Sequence, residues 1–207
     1  MVATLGRFIL ASASPRRIEL LKLLGLRFEI IPSHVNEAFI EGETPREHVL
    51  RLSEEKAQKA AALYPDAWVM GADTIVLING EVLGKPRTSE EAKEMLGKLS
   101  GRIHTVFTGF TVIRQNMGNT VRDAVESSVR FRDIPGDEMA WYASTEEPYD
   151  KAGGYAVQGM GAFFIKEIHG SYTNVMGLPL CEVVDVLKGI GAIDFTGGSN
   201  HGLRSNG

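Results

Sequence analysis

The spacing of apolar residues along the chain changes several times, and each spacing predicts a type of element. Short apolar runs or period-two alternation predict strands over 8–10, 27–31, 67–71, 75–78, 82–83, 102–114, 121–131 and 162–168. Apolar residues three and four positions apart predict helices over 15–24, 45–64, 89–99, 135–144 and 180–187. Because helices and strands are interspersed, the pattern predicts an α/β fold with a mixed, elongated β-sheet flanked by helices.

Local signals support several of these boundaries. Thr44 and Glu47, and likewise Thr88 and Glu91, have the spacing of a capping box, in which two side chains satisfy free backbone N–H groups at a helix start. Asn79-Gly80 lies between two apolar runs and predicts a tight β-hairpin.

Length and composition indicate one well-packed domain. The chain has 207 residues, 43% of them hydrophobic, and it contains neither an internal repeat nor an obvious linker. We expect a single domain over residues 1–189, with two lobes around a central cleft. Residues 190–207 are rich in Gly, Ser and Asn, and we expect them to form a flexible polar tail.

Charge and hydropathy exclude some classes of partner. The net charge of -4 argues against binding to polymeric nucleic acid, which depends on neutralising many phosphates. No apolar run reaches the length of a membrane span, and the single cysteine cannot form an intramolecular disulfide. We therefore expect a cytoplasmic protein that does not bind membranes.

The first predicted strand leads through small residues into a helix, and this turn is a candidate phosphate site. Pro15 suits the first helical position, with Ser14 as the preceding N-cap. A helix start presents free N–H groups to an anion, and Ser12, Arg16 and Arg17 lie beside it. The alternative is an ordinary capped helix whose arginines face solvent.

Four charged residues further along could supply phosphoryl chemistry. Asp73, followed by Thr74, stands at the end of an apolar strand, and Lys85 lies between Gly84 and Pro86 in a constrained turn. Glu37 lies in an acidic loop and Lys56 on the following helix. Each residue alone has the simpler explanation of a turn or surface residue, but two carboxylates and two ammonium groups together suit metal-assisted phosphoryl transfer. The histidines and Cys181 lack the spacing of a zinc site.

A glycine-rich stretch over 149–159 is a second candidate binding segment. Its glycines permit close approach of a flat ligand, Tyr155 could stack on a base, and the Gln158 amide could read the edge of uracil or thymine. A purely structural loop explains the same residues about equally well.

Taken together, these motifs carry a family resemblance. The motifs S-x-S-P-R-R, G-A-D-T, G-K-P, S-G-R-x-H, K-A-G-G-Y-A-V-Q-G and G-L-P-L occur in this order between about Phe8 and Leu187, and the chain resembles the Maf family of nucleoside triphosphate pyrophosphatases. The resemblance implies a fold akin to the inosine triphosphatases, a divalent cation (Mg²⁺ or Mn²⁺), a homodimer, and cleavage of a nucleoside triphosphate into monophosphate and pyrophosphate.

The resemblance also implies roles for individual residues. Asp73 corresponds to the proton acceptor, and Glu37, Lys56 and Lys85 to further active-site positions, with Asp73 and Glu37 as candidate metal ligands. Three positions discriminate substrates; Arg, Thr and Gln are typical of the dTTP/UTP branch, and here they are Arg16, Thr74 and Gln158.

Two other functions are open at this stage. In the 7-methyl-GTP branch the three discriminating positions are an aromatic residue, Gln and Glu, so a pyrophosphatase for that or another modified nucleotide is one alternative. The other is a regulator of septum formation that binds a nucleotide without cleaving it.

Overall fold

The computed structural model describes residues 2–195 and contains the predicted mixture of helices and strands. Its helices are α1 (Pro15–Leu23), α2 (Pro45–Ala61), α3 (Ser89–Leu99), α4 (Gly136–Ala143), α5 (Tyr172–Met176) and α6 (Leu180–Gly189). Its strands are β1 (Ala3–Thr4), β2 (Phe8–Leu10), β3 (Glu29–Ile30), β4 (Trp68–Ile78), β5 (Glu81–Leu83), β6 (Ile103–Arg114), β7 (Asn119–Phe131), β8 (Ile165–His169) and β9 (Ile193–Asp194). Among these residues, no helix has the length and apolar character needed to cross a membrane.

Local sequence explains several element boundaries. At the start of α2, Thr44 and Glu47 form both halves of the predicted capping box. Asn79 and Gly80 both adopt positive φ in the turn that joins β4 to β5, as a tight hairpin requires. Ser14 occupies the N-cap position of α1, but its side chain forms no capping hydrogen bond. The first N–H groups of α1 are therefore not satisfied by that side chain.

The main sheet is mixed, as predicted. Its strand order is β3-β2-β4-β6-β7-β8, and β5 also pairs with β4. The β3–β2 and β2–β4 pairs are parallel, whereas the pairs from β4 to β8 are antiparallel. The β6–β7 ladder runs the full length of β6, from Ile103 opposite Arg130 to Arg114 opposite Asn119, and gives the sheet its elongated form.

Helices cover both faces of the sheet. On one face α2 packs its alanines against Ile9, Val69 and Ile113. On the other face two apolar clusters lie at opposite ends of β4. One contains Trp68 and Met70 with α1 and α6, and the other contains Val76 and Ile78 with α3.

The end of the chain departs from the prediction. Ala192 and Ile193 are buried, and β9 pairs with β1 through Ile193 opposite Thr4. The folded domain therefore extends past residue 189, and the polar tail predicted from residue 190 begins too early. Little in the sequence indicates a strand here, because only three apolar residues stand between Gly191 and the run of Gly and Ser. Residues 196–207 of that tail lie outside the described residues.

Candidate active site

One edge of β4 lacks a paired strand over part of its length, and a cavity lies there. β4 pairs with β2 over 68–70 and with β5 over 76–78, whereas β6 accompanies it from 69 to 77. Between β2 and β5, residues 71–75 therefore lack a neighbouring strand on one edge. A cavity of about 380 Å³ lies at this gap, and Asp73 and Thr74 line it.

The cavity brings together residues that are far apart in the sequence. Its lining includes the predicted residues Ser12, Ser14, Arg16, Arg17, Glu37, Lys56, Asp73, Thr74 and Lys85. Gln158 is exposed and is not in this lining, although its neighbour Val157 is. The structure thus gathers every predicted charged position into one site and leaves Gln158 at its margin.

Lys56 bridges the two candidate catalytic carboxylates. Its Nζ lies 2.7 Å from Asp73 Oδ1 and 2.6 Å from Glu37 Oε1. Lys56 and Asp73 are both buried, whereas the side chain of Glu37 is 55% exposed. Partial burial acts to raise the pKa of Glu37, but the hydrogen bond from Lys56 and nearby positive charges outweigh it and lower that pKa. Glu37 is therefore ionised at neutral pH.

Close packing of α2 on the sheet places Lys56 there. A Cβ atom at Gly71 would lie 2.2 Å from the carbonyl oxygen of Ser53, so a side chain at this position would push α2 away from β4. Gly71 therefore explains why α2 approaches close enough for Lys56 to reach Asp73.

The loop that carries Glu37 is tied to α2 by residues that sequence reasoning missed. Arg51 Nε donates to Glu43 Oε1 at 2.7 Å, and Arg51 Nη2 donates to the Ala38 carbonyl at 3.1 Å. His48 Nδ1 lies 2.9 Å from Glu43 Oε2, and its ring stacks on Phe39. The hydrogen bond from Arg51 lowers the pKa of Glu43 to about 2. In the sequence, Glu43, His48 and Arg51 look like ordinary charged surface residues, so nothing there predicted these contacts.

Arg17 is buried beside the start of α1 and is held by several oxygen atoms. Its Nε donates to the Gly177 carbonyl at 2.8 Å, and its Nη1 donates to the Ala72 carbonyl at 2.8 Å and to Ser12 Oγ at 3.2 Å. Its Nη2 donates to Thr74 Oγ1 at 3.0 Å. Burial lowers the pKa of Arg17, although nearby Asp73 acts to raise it. Arg17 is thus a fixed part of the site, not a solvated helix residue.

Arg16 faces the opposite rim of the cavity. Its Nη1 lies 3.1 Å from Asp150 Oδ2, and Lys151 also pairs with Asp150. This carboxylate therefore engages two cations at the rim. Arg16 and Lys151 both line the cavity, where they could meet an anionic ligand.

The exposed Lys85 lies in a turn that the glycine-rich segment supports. The Gly153 N–H donates to the Gly84 carbonyl at 2.9 Å. Gly153 has φ +72, a conformation that side chains disfavour, and a Cβ there would lie 3.1 Å from Val76. The two segments therefore pack directly on each other beside the cavity.

Tyr155 does not take the position expected for a base-stacking residue. It is only 5% exposed, and its hydroxyl lies 2.8 Å from Nε2 of the buried His104. Its ring makes edge contacts with His104 and Phe131. Burial raises the pKa of Tyr155 and lowers that of His104 to about 4. Tyr155 therefore belongs to the core, lines the cavity from below and offers almost no ring face to a base.

Glu147 anchors the turn that follows Gln158. Its Oε1 accepts hydrogen bonds from Tyr142 Oη at 2.9 Å and from the Gly161 N–H at 2.8 Å, and its Oε2 accepts one from the Met160 N–H at 2.9 Å. Gln158 thus lies between the buried Tyr155 and the turn that Glu147 holds by hydrogen bonds. Nothing in the sequence distinguished Glu147 from its acidic neighbours.

The mixed α/β fold agrees with a comparison with solved structures. A solved HAM1 protein from Coxiella burnetii matches this structure with a TM-score of 0.50 at 16% identity, covering 88% of this chain and 98% of that one. This likeness concerns the fold alone, and it confirms the predicted mixed α/β architecture.

Sequence comparisons identify the family to which this chain belongs. The family model described as Maf-like protein matches residues 7–190, and the chain belongs to this family. A dTTP/UTP pyrophosphatase of Syntrophus aciditrophicus (strain SB) is 61% identical over 200 residues, which are 97% of this chain and 97% of that protein. Another dTTP/UTP pyrophosphatase, from Geotalea uraniireducens (strain Rf4), is 47% identical over 194 residues, covering 94% of this chain and 100% of that protein. The predicted family is therefore confirmed.

Proposed function

We propose that this protein is a nucleoside triphosphate pyrophosphatase that hydrolyses dTTP and UTP to the monophosphate and pyrophosphate. The observation that carries the proposal is the pairing of Asp73 and Glu37 through Lys56 in a cavity whose other walls carry Arg16, Arg17 and Lys85. A site that only bound a nucleotide would not need a buried carboxylate beside its cations. The names of the similar proteins support the choice of substrates.

In this proposal Asp73 orients and deprotonates the attacking water. Lys56 binds Asp73 Oδ1, which leaves Oδ2 as the acceptor for the water proton. Attack by that water breaks the phosphoanhydride between the α- and β-phosphates, and pyrophosphate leaves. Lys56 and Lys85 neutralise charge that develops on the phosphates, and the start of α1 binds phosphate oxygens through its free N–H groups.

A divalent cation, Mg²⁺ or Mn²⁺, fits the donor set. Asp73 and Glu37 provide two carboxylates at the cavity, and Mg²⁺ sites often combine one or two carboxylates with substrate phosphates. Within residues 2–195, no group of three or more His, Cys, Asp or Glu side chains is arranged to hold a metal by itself, so substrate oxygens would complete the coordination. When bound, the cation would neutralise phosphate charge.

The substrate-discriminating roles of Arg16, Thr74 and Gln158, a homodimeric state and a cytoplasmic location stay predictions. A cytoplasmic location suits an enzyme that acts on free nucleotides. The exposed position of Gln158 beside the cavity suits a residue that meets the nucleoside from the rim.

The test is pyrophosphate release from a panel of nucleotides with Mg²⁺ or Mn²⁺, comparing the wild type with Asp73→Asn. We expect UTP and dTTP to be cleaved fastest and the variant to lose roughly a hundredfold or more in turnover, because the general base is gone. Asp66→Asn, which changes an exposed aspartate just before β4, is the matched control and should behave as the wild type.

Other outcomes separate the alternatives. Fastest cleavage of 7-methyl-GTP or a purine nucleotide would keep the chemistry and overturn the substrate assignment. Binding without cleavage would favour a regulator, and near-normal turnover by Asp73→Asn would remove Asp73 from the mechanism.

A further inference from the structure

The segment over 156–161 carries Gln158 past the margin of the cavity, and hydrogen bonds hold this segment at both ends. Ala156 and Val157 line the cavity, whereas Gln158 is exposed. Because neighbouring side chains cover little of Gln158, the position of its amide depends on the backbone on either side of it. The groups that hold this backbone therefore affect where Gln158 can meet a ligand.

Glu147 holds the later end of the segment. Its two carboxylate oxygens accept hydrogen bonds from the N–H groups of Met160 and Gly161. Gly159 makes this close approach possible, because it has φ +116 and a Cβ atom there would lie 2.4 Å from Glu147 Oε2. The carboxylate thus occupies the space that a side chain at Gly159 would need, and it binds the two residues that follow.

Tyr142 connects the same carboxylate to the earlier end of the segment. Its Oη donates to Glu147 Oε1 and accepts a hydrogen bond from the Ala156 N–H at 3.2 Å. The Tyr142 side chain is fully buried, and its ring makes an edge contact with Phe164. Burial raises the pKa of Tyr142, so its hydroxyl keeps its hydrogen and stays a donor at neutral pH. One carboxylate and one hydroxyl therefore hold the backbone on both sides of Gln158.

The hydrogen bonds of Glu147 require a carboxylate. The Tyr142 hydroxyl and the N–H groups of Met160 and Gly161 all donate to it, and they reach both of its oxygens. An amide at this position has one acceptor oxygen and one NH₂ group, so it cannot accept hydrogen bonds on both sides. Glu147→Gln therefore sets two donors against each other at one side while it keeps the size of the side chain.

We propose that Glu147, together with Tyr142, is a positioning residue that sets the preference for the base by fixing the backbone that carries Gln158. Neither Glu147 nor Tyr142 is part of the cavity lining, so both act through the segment over 156–161. The inference rests on the proposed function and on the predicted role of Gln158 at a pyrimidine edge. Phosphate binding by Arg17 and Lys85, on other walls of the cavity, does not depend on it.

The test measures kcat/KM for UTP and GTP, and the inhibition constant of inorganic triphosphate, in Glu147→Gln and Tyr142→Phe. We expect both variants to lower the UTP-to-GTP ratio of kcat/KM by roughly tenfold, the effect of a lost hydrogen bond to a charged group. The inhibition constant should not change, because the phosphate-binding side chains are untouched. Glu146→Gln, at the exposed neighbouring glutamate, is the matched control and should behave as the wild type.

A double variant shows whether Glu147 acts through Gln158. Gln158→Ala alone should lower the UTP-to-GTP ratio. Adding Glu147→Gln should lower it no further, because the side chain that Glu147 positions is then absent. A residue with a merely structural role would add a loss of its own. If Glu147→Gln does not fold, Tyr142→Phe with and without Gln158→Ala gives the same comparison from the other end of the segment.

Several results would overturn the inference. They are an unchanged ratio in Glu147→Gln or in Gln158→Ala, additive losses in the double variant, and an inhibition constant that rises as much as KM for UTP. If the wild type cleaves no nucleotide, the proposed function fails, but calorimetric binding of UTP and GTP by the wild type and Glu147→Gln still tests the inference. Equal affinity ratios in these two proteins would then overturn it, and a lower ratio in the variant would support it.

Discussion

The two walls of the cavity are built in different ways. We call Asp73 and Thr74 of β4, with Lys56 and Arg17, the strand wall, and residues 147–161 the loop wall. The side chains of Lys56, Arg17 and Asp73 are buried and positioned by regular elements. The loop wall consists largely of short 3₁₀ turns, and its polar residues Asp150 and Gln158 are exposed. The difference indicates that Asp73, Lys56 and Arg17 are rigidly placed, whereas Asp150 and Gln158 lie where they can change at little cost to the fold.

The largest effect on the strand wall is expected from replacing Lys56, the lysine that pairs with Asp73. Lys56→Met leaves the buried Asp73 carboxylate without its partner, and we expect a loss of about 3 kcal/mol in the free energy of unfolding. Chemical denaturation at pH 7 measures it, and turnover should fall as well.

A matched control and a double variant sharpen this prediction. Lys22→Met, which changes an exposed lysine on α1, should have little effect on either quantity. Lys56→Met with Asp73→Asn should regain stability, because no unpaired charge remains, but not activity. A single variant as stable as the wild type would show that the ion pair does not stabilise the strand wall.

A second prediction concerns the core beneath the loop wall. Burial lowers the pKa of folded His104 to about 4, below the unfolded value of about 6.5, so the unfolded chain binds the proton more readily between these values. The stability that His104 contributes should therefore be complete above pH 6.5 and be lost as the pH falls towards 4, by about 3 kcal/mol in total.

Comparison of unfolding free energies at several pH values for the wild type and His104→Gln isolates this contribution. The variant cannot titrate at this position, so its stability should depend less on pH in this range. His169→Gln changes an exposed histidine and should follow the wild-type curve. Parallel curves for the wild type and His104→Gln would contradict the prediction.

The smallest expected effect is on the loop wall itself. Gln158→Glu keeps an acceptor oxygen but loses the amide donor, so it should reduce kcat/KM for UTP by roughly tenfold while reducing that for 7-methyl-GTP less. Stability should not change, because Gln158 is exposed. Gln115→Glu, at a distant exposed turn, is the control. Equal losses for both nucleotides would argue against base reading by Gln158.

Local patterns predicted most of the secondary structure, and all the predicted site residues except Gln158 line one cavity. The predicted hairpin at Asn79-Gly80 and the capping box at Thr44 are confirmed because each depends on neighbouring residues alone. The position of Asp73 was predicted less well, because the sequence placed it after the end of a strand, whereas β4 continues through it to Ile78. Arg16 and Arg17 do stand at the predicted helix start.

Contacts between segments that are far apart in the chain could not be predicted from local patterns. The bridge from Lys56 to both carboxylates depends on how closely α2 packs on Gly71, and the burial of Tyr155 depends on Phe131 and His104. β1 and β9 are two-residue strands that exist only because they pair with each other across the whole chain. None of these contacts is indicated by a periodic spacing of apolar residues.

The adjacent positions of Asp73 and Thr74 on one strand have a consequence for how the family can change. Successive residues of a strand point to opposite faces, so Asp73 meets Lys56 on one side of the sheet while Thr74 meets Arg17 on the other. One residue inserted between Trp68 and Asp73 would exchange the two faces for every residue that follows. Insertions and deletions are therefore excluded from this stretch of β4, whereas the exposed turns around the cavity can vary in length without exchanging a carboxylate for a hydroxyl.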